Sequence, residues 1–399
     1  MDLEERLRLL KGIAIEVITE KDLRTLLETK EEPVAYDGFE PSGIANLPLA
    51  IYRPLLLRDI VKAGVRFKIL LADSYGWINN KLGGDIEKIR EAAQYFIEVW
   101  KVAGRQFGLD FSKVEFLWHK DYFDDPEYWK KVILIAKAHT LKRTKRALTI
   151  AGRVGAEEQP TAFFFYPSMQ AADIFHMKAD ITQLGLDQRK VNVLARDIAH
   201  KEVNGVPLYK LLGYEGHGVN GKPVALHHLI LPGLGKPPAI SEGYDENLKY
   251  DYLIKTKMSK SKPETSIYIH DPPEVVEKKI RKAFCPPKSK IEINIKTPDK
   301  KGKLIERTIT IENPILTYVR EIVFRALGKF ELEAKGWSET YWSFDDLVRD
   351  YDNNKIHPLD LKMSLARHIN EIMDPVRKYF ESGLGRKYYE KIKEVKITR

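Results

Sequence analysis

The chain has 399 residues, 43% hydrophobic and 31% charged, enough to bury a sizeable core and too apolar for a disordered tail. Its 66 Lys and Arg outnumber 57 Asp and Glu, and the net charge of +9 permits a polyanionic partner without requiring one. A single cysteine, Cys285, excludes an internal disulfide framework and any zinc site built on several thiolates. No apolar run reaches the ~18 residues of a membrane span, and MDLEERLRLL at the start holds no secretory apolar core. A soluble cytoplasmic protein is expected, and at ~150 residues per domain it should have two or three domains.

In chain order, residues 33–39 (PVAYDGF) read as a short buried strand, followed by a Pro-Ser-Gly turn at 41–43 and a helix over 49–63. A second buried strand covers 65–72 (VRFKILLA) and stops at Asp73. Apolar residues at helical spacing mark 85–108, then 114–118 (VEFLW) is a third strand and 127–151 a further helix. The alternation argues for a parallel sheet covered by helices, with ligands at the carboxyl ends of its strands. The tract 166–190 continues the pattern as a helix, a strand-like ADITQLG and a new helix opened by Gln188. The character changes after 284. Residues 291–296 and 304–311 alternate apolar with polar on either side of TPDKKGK, a hairpin signal. Residues 313–328, 344–351, 359–380 and 385–395 read as helices with no strand expected between them. Pro286-Pro287 breaks helix 272–284 and sets the expected domain boundary.

The most specific string is Lys257-Met258-Ser259-Lys260-Ser261. Two lysines three residues apart suit a mobile loop that grips a polyphosphate, because lysine carries a compact charge on a flexible stem. A plain solvated basic loop is the alternative, and the rarity of the full string weighs against it. A strand reaching Gly38, then the turn Phe39-Glu40-Pro41-Ser42-Gly43 and a helix, lets backbone approach a nucleotide closely. Tyr166, Gln170 and Asp173 share one helix face amid Phe165, Ala172, Ile174 and Phe175, a setting that lines a pocket. Lys142, Arg143, Lys145 and Arg146 cluster in LKRTKR, as a phosphate contact or a solvated face. His119, His139, His176 and His200 lack metal spacing, and His227, His228 and Cys285 read as buried structural residues.

The lysine string resembles the KMSKS signature of class I aminoacyl-tRNA synthetases. GFEPSG at 38–43 resembles the segment before the His-Ile-Gly-His signature of tyrosyl-tRNA synthetases of archaeal and eukaryotic type. The Tyr166, Gln170, Asp173 spacing with Gln188-Arg189-Lys190 is similar to their tyrosine-binding segment. The likeness is close over about residues 20–285 and looser beyond. It implies a Rossmann-like parallel-sheet catalytic domain over 1–285 and a mostly helical anticodon-binding domain over 286–399, with the hairpin near 288–311 as an insertion. It implies ATP-dependent activation of L-tyrosine and transfer to tRNA(Tyr) by a homodimer, with Mg²⁺ accompanying ATP and no protein-bound zinc.

Residue by residue, the resemblance gives Tyr36 and Asp173 to the substrate's phenol, and Tyr166, Gln170 and Gln188 to its α-amino group. Gly38, Glu40, Ser42, Gly43, Asn46, Lys257, Ser259 and Lys260 would bind ATP. Asn46 and Leu49 stand where the two signature histidines are expected. Asn46 can still donate to a phosphate, whereas Leu49 cannot and is expected to pack in the core. Phosphate charge in the transition state would then rest on Lys257, Lys260 and a metal ion. Arg143, Arg146, Arg189 and Lys190 are candidates for tRNA phosphates or the first base pair. Asp360, in HPLDLK, resembles the aspartate that reads the anticodon; its plain alternative is a helix N-terminal charge. Two rivals remain. Tryptophan brings a donor-only indole that leaves the Tyr36 hydroxyl without an acceptor, and a tRNA-binding paralogue with reduced activation chemistry would explain Asn46 and Leu49.

Overall fold

The computed structural model describes residues 1–148, 160–216, 221–237, 247–260, 262–298 and 303–393. Ser261, the last residues of the expected helices 127–151 and 385–395, and the tip of the expected hairpin lie outside the described residues. The central sheet holds β1 (Glu16–Ile18), β2 (Val34–Phe39), β3 (Arg66–Leu71), β4 (Val114–Trp118), β5 (Ile181–Thr182) and β6 (Val224–His227), in the order β1-β6-β5-β2-β3-β4. All neighbours run parallel except the edge strand β1, whose Glu16 faces His227. Chain order departs in both directions from β2, so a topological switch point lies between β2 and β5. Tyr36 sits there, level with Lys68 on one side and Thr182 on the other.

Helices cover both faces. A π-helical turn, Pro48–Tyr52, leads into α1 (Arg53–Lys62). Asp85 caps α2 (Ile86–Gln106), accepting from the Glu87 and Lys88 amides, and the helix buries Ile89, Ala93, Phe96 and Trp100. The expected single helix at 127–151 is broken. α3 (Pro126–Lys137) stops at Ala138, and Thr140 caps a new helix, Leu141–Ala147, by accepting from the Arg143 amide. A threonine side chain that satisfies a free amide outcompetes helix continuation there. α4 (Tyr166–His176) is buried almost all round, as an apolar helix crossing the interior must be. α5 (Arg189–Ile198), α6 (Leu248–Lys255) and α7 (Pro273–Lys282) follow.

Beyond Pro286, β7 (Lys290–Pro298) and β8 (Leu304–Glu312) pair antiparallel over nine positions. A further hairpin, β9 (Phe330–Ala334) and β10 (Trp337–Tyr341), stands where only helices were expected. Gly336 at φ +88° makes its turn, and Phe330, Leu332 and Tyr341 are buried while the other face carries the polar pairs Glu331 with Thr340 and Glu333 with Ser338. α8 (Pro358–Phe380) and α9 (Gly383–Lys393) are the last elements among the described residues. One buried cluster runs from Leu7 through Phe96 and Trp100 to Ile369, Phe380 and Ile392, so the C-terminal helices close on α2. A second cluster lies under α3 and α4 and includes Tyr36.

Candidate active site at the switch point

Successive strand residues point to opposite faces, and β2 uses this to serve two environments. Tyr36 turns toward α3 and α4, whereas Asp37 turns toward α1, 3.4 Å from the buried Arg53 guanidinium. The Tyr36 hydroxyl is buried with no hydrogen-bond partner among the described residues; Gln170 lies beside it without completing a bond. Burial, then the negative charges of Asp173 and Asp37, pushes this phenol well above its usual range. Asp173 is 1% exposed. Its carboxylate accepts from Tyr75 Oη at 2.6 Å and Tyr128 Oη at 2.8 Å, with His119 Nε2 at 3.2 Å. A buried carboxylate without such partners would be costly, and one with about four acceptor sites still has room for a further donor. Tyr75, Tyr128 and His119 had no signal in the sequence motifs; the ends of β3 and β4 and the first turn of α3 bring them in.

The other end of the same α4 face is polar again. Tyr166 Oη donates to the Glu40 carboxylate, which also accepts from Asn79 Nδ2 at 3.0 Å and lies 3.5 Å from Lys81 Nζ. Gln170 Nε2 donates to Gln188 Oε1 at 3.1 Å. The Tyr75 ring meets Tyr166 edge-on at 4.6 Å between centroids and His119 at 4.5 Å, forming an aromatic wall between the two ends. Tyr166 and Asp173 are seven residues apart on α4, roughly 10 Å along the axis, a span suited to one aromatic amino acid.

The turn after β2 faces the lysine loop. Gly43 adopts φ +90°, which favours glycine. Lys260 Nζ donates to Ser42 O at 3.2 Å and Ser42 Oγ at 3.1 Å, and lies 5.0 Å from the centre of the Phe96 ring. Burial, with the nearby Lys81 charge, lowers its ammonium to about 7. Lys257 Nζ contacts Asp187 Oδ2 at 2.6 Å, and the Asp187 charge holds it above the usual lysine range. The loop is pinned at its centre, where the Met258 amide donates to Leu231 O at 2.8 Å and Ser266 Oγ donates to Ser259 O at 2.7 Å. Asn46 Oδ1 accepts from the Leu49 amide at 3.3 Å, while its Nδ2 has no acceptor among the described residues. Leu49 packs against the main core, and its carbonyl accepts from Trp100 Nε1 at 2.9 Å. Beneath the turn, Arg53 donates to Gln183 Oε1, and Gln183 Nε2 lies 3.1 Å from His228 Nδ1. Burial raises Asp37 to about 7 although Arg53 opposes it, and burial with Arg53 lowers His228 to about 3. His227 is held by Glu16 at 2.8 Å and Asn192 at 3.0 Å.

The remaining candidates lie outside this cluster of contacts. Arg143 pairs with Asp197 at 2.8 Å and Arg189 with Glu16 at 2.9 Å. Arg146 is exposed on the Leu141–Ala147 helix, and Lys190 is half-buried at the start of α5. Asp360 occupies the first turn of α8 behind the His357 cap. Among the described residues no group of three or more His, Cys, Asp or Glu is placed to hold a metal, and no helix is long and apolar enough to cross a membrane.

The chain matches the family described as tRNA synthetases class I (W and Y) over residues 28–234 and 252–374. A tyrosine–tRNA ligase of Sulfurisphaera tokodaii is 40% identical over 387 residues, covering 96% of this chain and 94% of the relative. That of Thermococcus kodakarensis is 39% identical over 405 residues, covering all of both. Among solved structures, the tyrosyl-tRNA synthetase of Pyrococcus horikoshii complexed with L-tyrosine gives a TM-score of 0.82 at 35% identity, over 99% of this chain and 100% of that one. The tryptophanyl-tRNA synthetase of Aeropyrum pernix, at 18% identity and a TM-score of 0.60 over 100% of this chain and 92% of that one, shares the fold alone. A parallel sheet with a tyrosine-and-carboxylate pair at its switch point, closed by a lysine loop, and full-length likeness to these ligases lead to one conclusion: the chain belongs to the tyrosyl-tRNA synthetases of the class I W and Y family.

Proposed function

We propose that the chain activates L-tyrosine with ATP and transfers it to tRNA(Tyr). One observation carries the reading: the Tyr36 hydroxyl is buried and unpartnered beside a buried carboxylate, Asp173, already oriented by two phenols. A substrate phenol donates to Asp173 and accepts from Tyr36, satisfying both. Phenylalanine leaves each unpaired, at a cost of about 1–3 kcal/mol per group. An indole donates to Asp173 but offers Tyr36 no acceptor. The α-ammonium is held at the opposite end, by the Tyr166 and Gln170 oxygens with Gln188 behind them.

In the first step the tyrosine carboxylate attacks the α-phosphorus of ATP in line. The bond to the bridging oxygen breaks, and pyrophosphate leaves. In the second, a terminal ribose hydroxyl of tRNA attacks the acyl carbon and AMP leaves. Neither step needs a covalent protein intermediate; positioning and charge stabilisation supply the rate. Lys257 and Lys260 hold the triphosphate, exchanging their contacts with Asp187 and Ser42 for phosphate oxygens. Gly38, Glu40, Ser42, Gly43 and Ser259 form the rest of the cradle, and Asn46 donates through Nδ2. Mg²⁺ enters with ATP as part of the substrate. Arg143, Arg146, Arg189 and Lys190 meet the acceptor end of tRNA and Asp360 the anticodon, with residues 1–285 catalytic and 286–399 devoted to the anticodon.

A cytoplasmic homodimer belongs to the same reading. It is supported by a ridge in which Trp77, Phe123, Trp129 and Phe165 touch in series at 6.4, 5.1 and 6.3 Å. Trp77 and Phe165 are exposed there, as is Ile133 one turn beyond Trp129. Pyrophosphate exchange with each of the twenty amino acids tests the activity. Tyrosine alone should support rapid exchange; a tryptophan response equal to it, or tRNA binding without exchange, would replace the proposal with one of its rivals.

A further inference from the structure

The helix that carries the lysine loop takes its apolar partner from the hairpin rather than from the main core. Tyr252, buried on α6, packs among Ile295, Ile309 and Ile311, with Leu248, Ile291 and Ile293 around them, as a separate cluster. The pairing explains why this face is apolar. Ile291 faces Ile311 and Ile293 faces Ile309 across the strands, while the alternate pairs are polar: Lys290 with Glu312, Glu292 with Thr310, Asn294 with Thr308. The Thr256 amide and hydroxyl both donate to Tyr252 O, at 3.0 and 2.8 Å, so the residue before Lys257 is locked to the one the hairpin grips.

The root of the hairpin is anchored elsewhere. Ser289 donates through its amide and hydroxyl to the two oxygens of Asp352 at 2.7 and 2.6 Å, and Lys288 Nζ donates to Asp352 O at 2.6 Å. Asn313 Nδ2 donates to Pro286 O at 2.9 Å. Asp352 ends the helix Phe344–Asp352, a few residues before α8 and Asp360. Beside the loop lies a cavity of about 1010 Å³, walled by Tyr252, Lys257 and Ser259 on one side and by Lys290, Ile311 and Arg320 on the other. Lys257 and Ser259 therefore border open space while α6 is gripped.

We propose that hairpin β7–β8 is the fixed abutment of the lysine loop, and that Ile295, Ile309 and Ile311 act through Tyr252 as positioning residues for Lys257 and Lys260. The catalytic consequence rests on the function proposed above; the mechanical claim does not. The test is trypsin nicking after Lys257 and Lys260 in the full chain without ligand, read by mass spectrometry. Ile309→Ser should accelerate these cuts about tenfold by opening the loop locally, and raise the KM for ATP in pyrophosphate exchange while leaving that for tyrosine unchanged. Ile309→Val should restore both, and Thr308→Ser on the outer face should behave as wild type. Unchanged nicking at the loop would overturn the proposal, and so would acceleration spread evenly over the whole chain. Absence of tyrosine-dependent exchange in the wild type would instead overturn the functional reading, with the nicking experiment still deciding on the hairpin.

Discussion

Lys260 shows how much a single side chain depends on what surrounds it. Its ammonium meets a serine carbonyl, a serine hydroxyl and an aromatic face, and burial with the Lys81 charge brings its pKa to about 7. The free protein therefore gives up this proton as pH rises through about 7, whereas the unfolded chain keeps it up to the ordinary lysine value of 10.5. Within that window the unfolded chain binds more protons, so this group's penalty on stability shrinks as pH rises. Binding runs the other way, because a triphosphate wants the charged form. The KM for ATP should rise above neutrality by up to about tenfold per pH unit, and Lys260→Arg, always charged, should flatten the profile. A wild-type KM that ignores pH from about 6 to 9 would contradict the role. The residues of this loop and of the α4 face were legible as spacing in the sequence. The partners of Asp173 were not: Tyr75 is 98 positions away and Tyr128 is 45, and no local pattern links them until the sheet forms.

Among the elements, the π-turn at Pro48–Tyr52 concentrates the chain's departure from the histidine signature. Asn46 has two tasks there: its oxygen caps the turn at the Leu49 amide, and its nitrogen is left to donate. Asn46→Asp separates them. The carboxylate can still cap, but it is buried with one amide donor, so the melting temperature should fall by a few degrees rather than collapse. The donor is lost and a negative charge faces the phosphates, so kcat for activation should fall about 10²–10³-fold. Exchange kinetics beside a thermal melt check this, and an unchanged kcat would remove Asn46 from the phosphate site. Strands β2, β3 and β4 were readable as short, mostly apolar runs, VAYDGF, RFKILL and VEFLW, set between helical patterns, whereas β1 and β6 carried no such signal. Hairpin β9–β10 was not, since its outer face pairs Glu331 with Thr340 and Glu333 with Ser338, and its one decisive residue is the turn glycine, Gly336. The break at 138–140 turns on a single capping threonine, too small a signal to register within a helical pattern.

At the scale of the whole molecule, residues from both sides of Pro286-Pro287 share one buried cluster that includes Leu7 and Ile392. Periodicity reports which residues seek a core, and it is silent on how many elements share one. The exposed ridge was equally hidden in the sequence, because Trp77, Phe165 and the pair Trp129 and Ile133 come from three separate elements. If it joins two copies, Ile133→Asp should turn a dimer into a monomer in light scattering after gel filtration; a wild-type monomer would dismiss the ridge as an interface. The account as a whole stands on the fit between a substrate phenol and the Tyr36–Asp173 pair. Tyr36→Phe removes one oxygen that has no partner in the free protein. Its melting temperature should therefore stay within about 2 °C of the parent. Its preference for tyrosine over phenylalanine, measured as the ratio of kcat/KM in pyrophosphate exchange, should drop by about tenfold to a hundredfold, the worth of one such hydrogen bond. An undiminished preference in that variant would contradict the account.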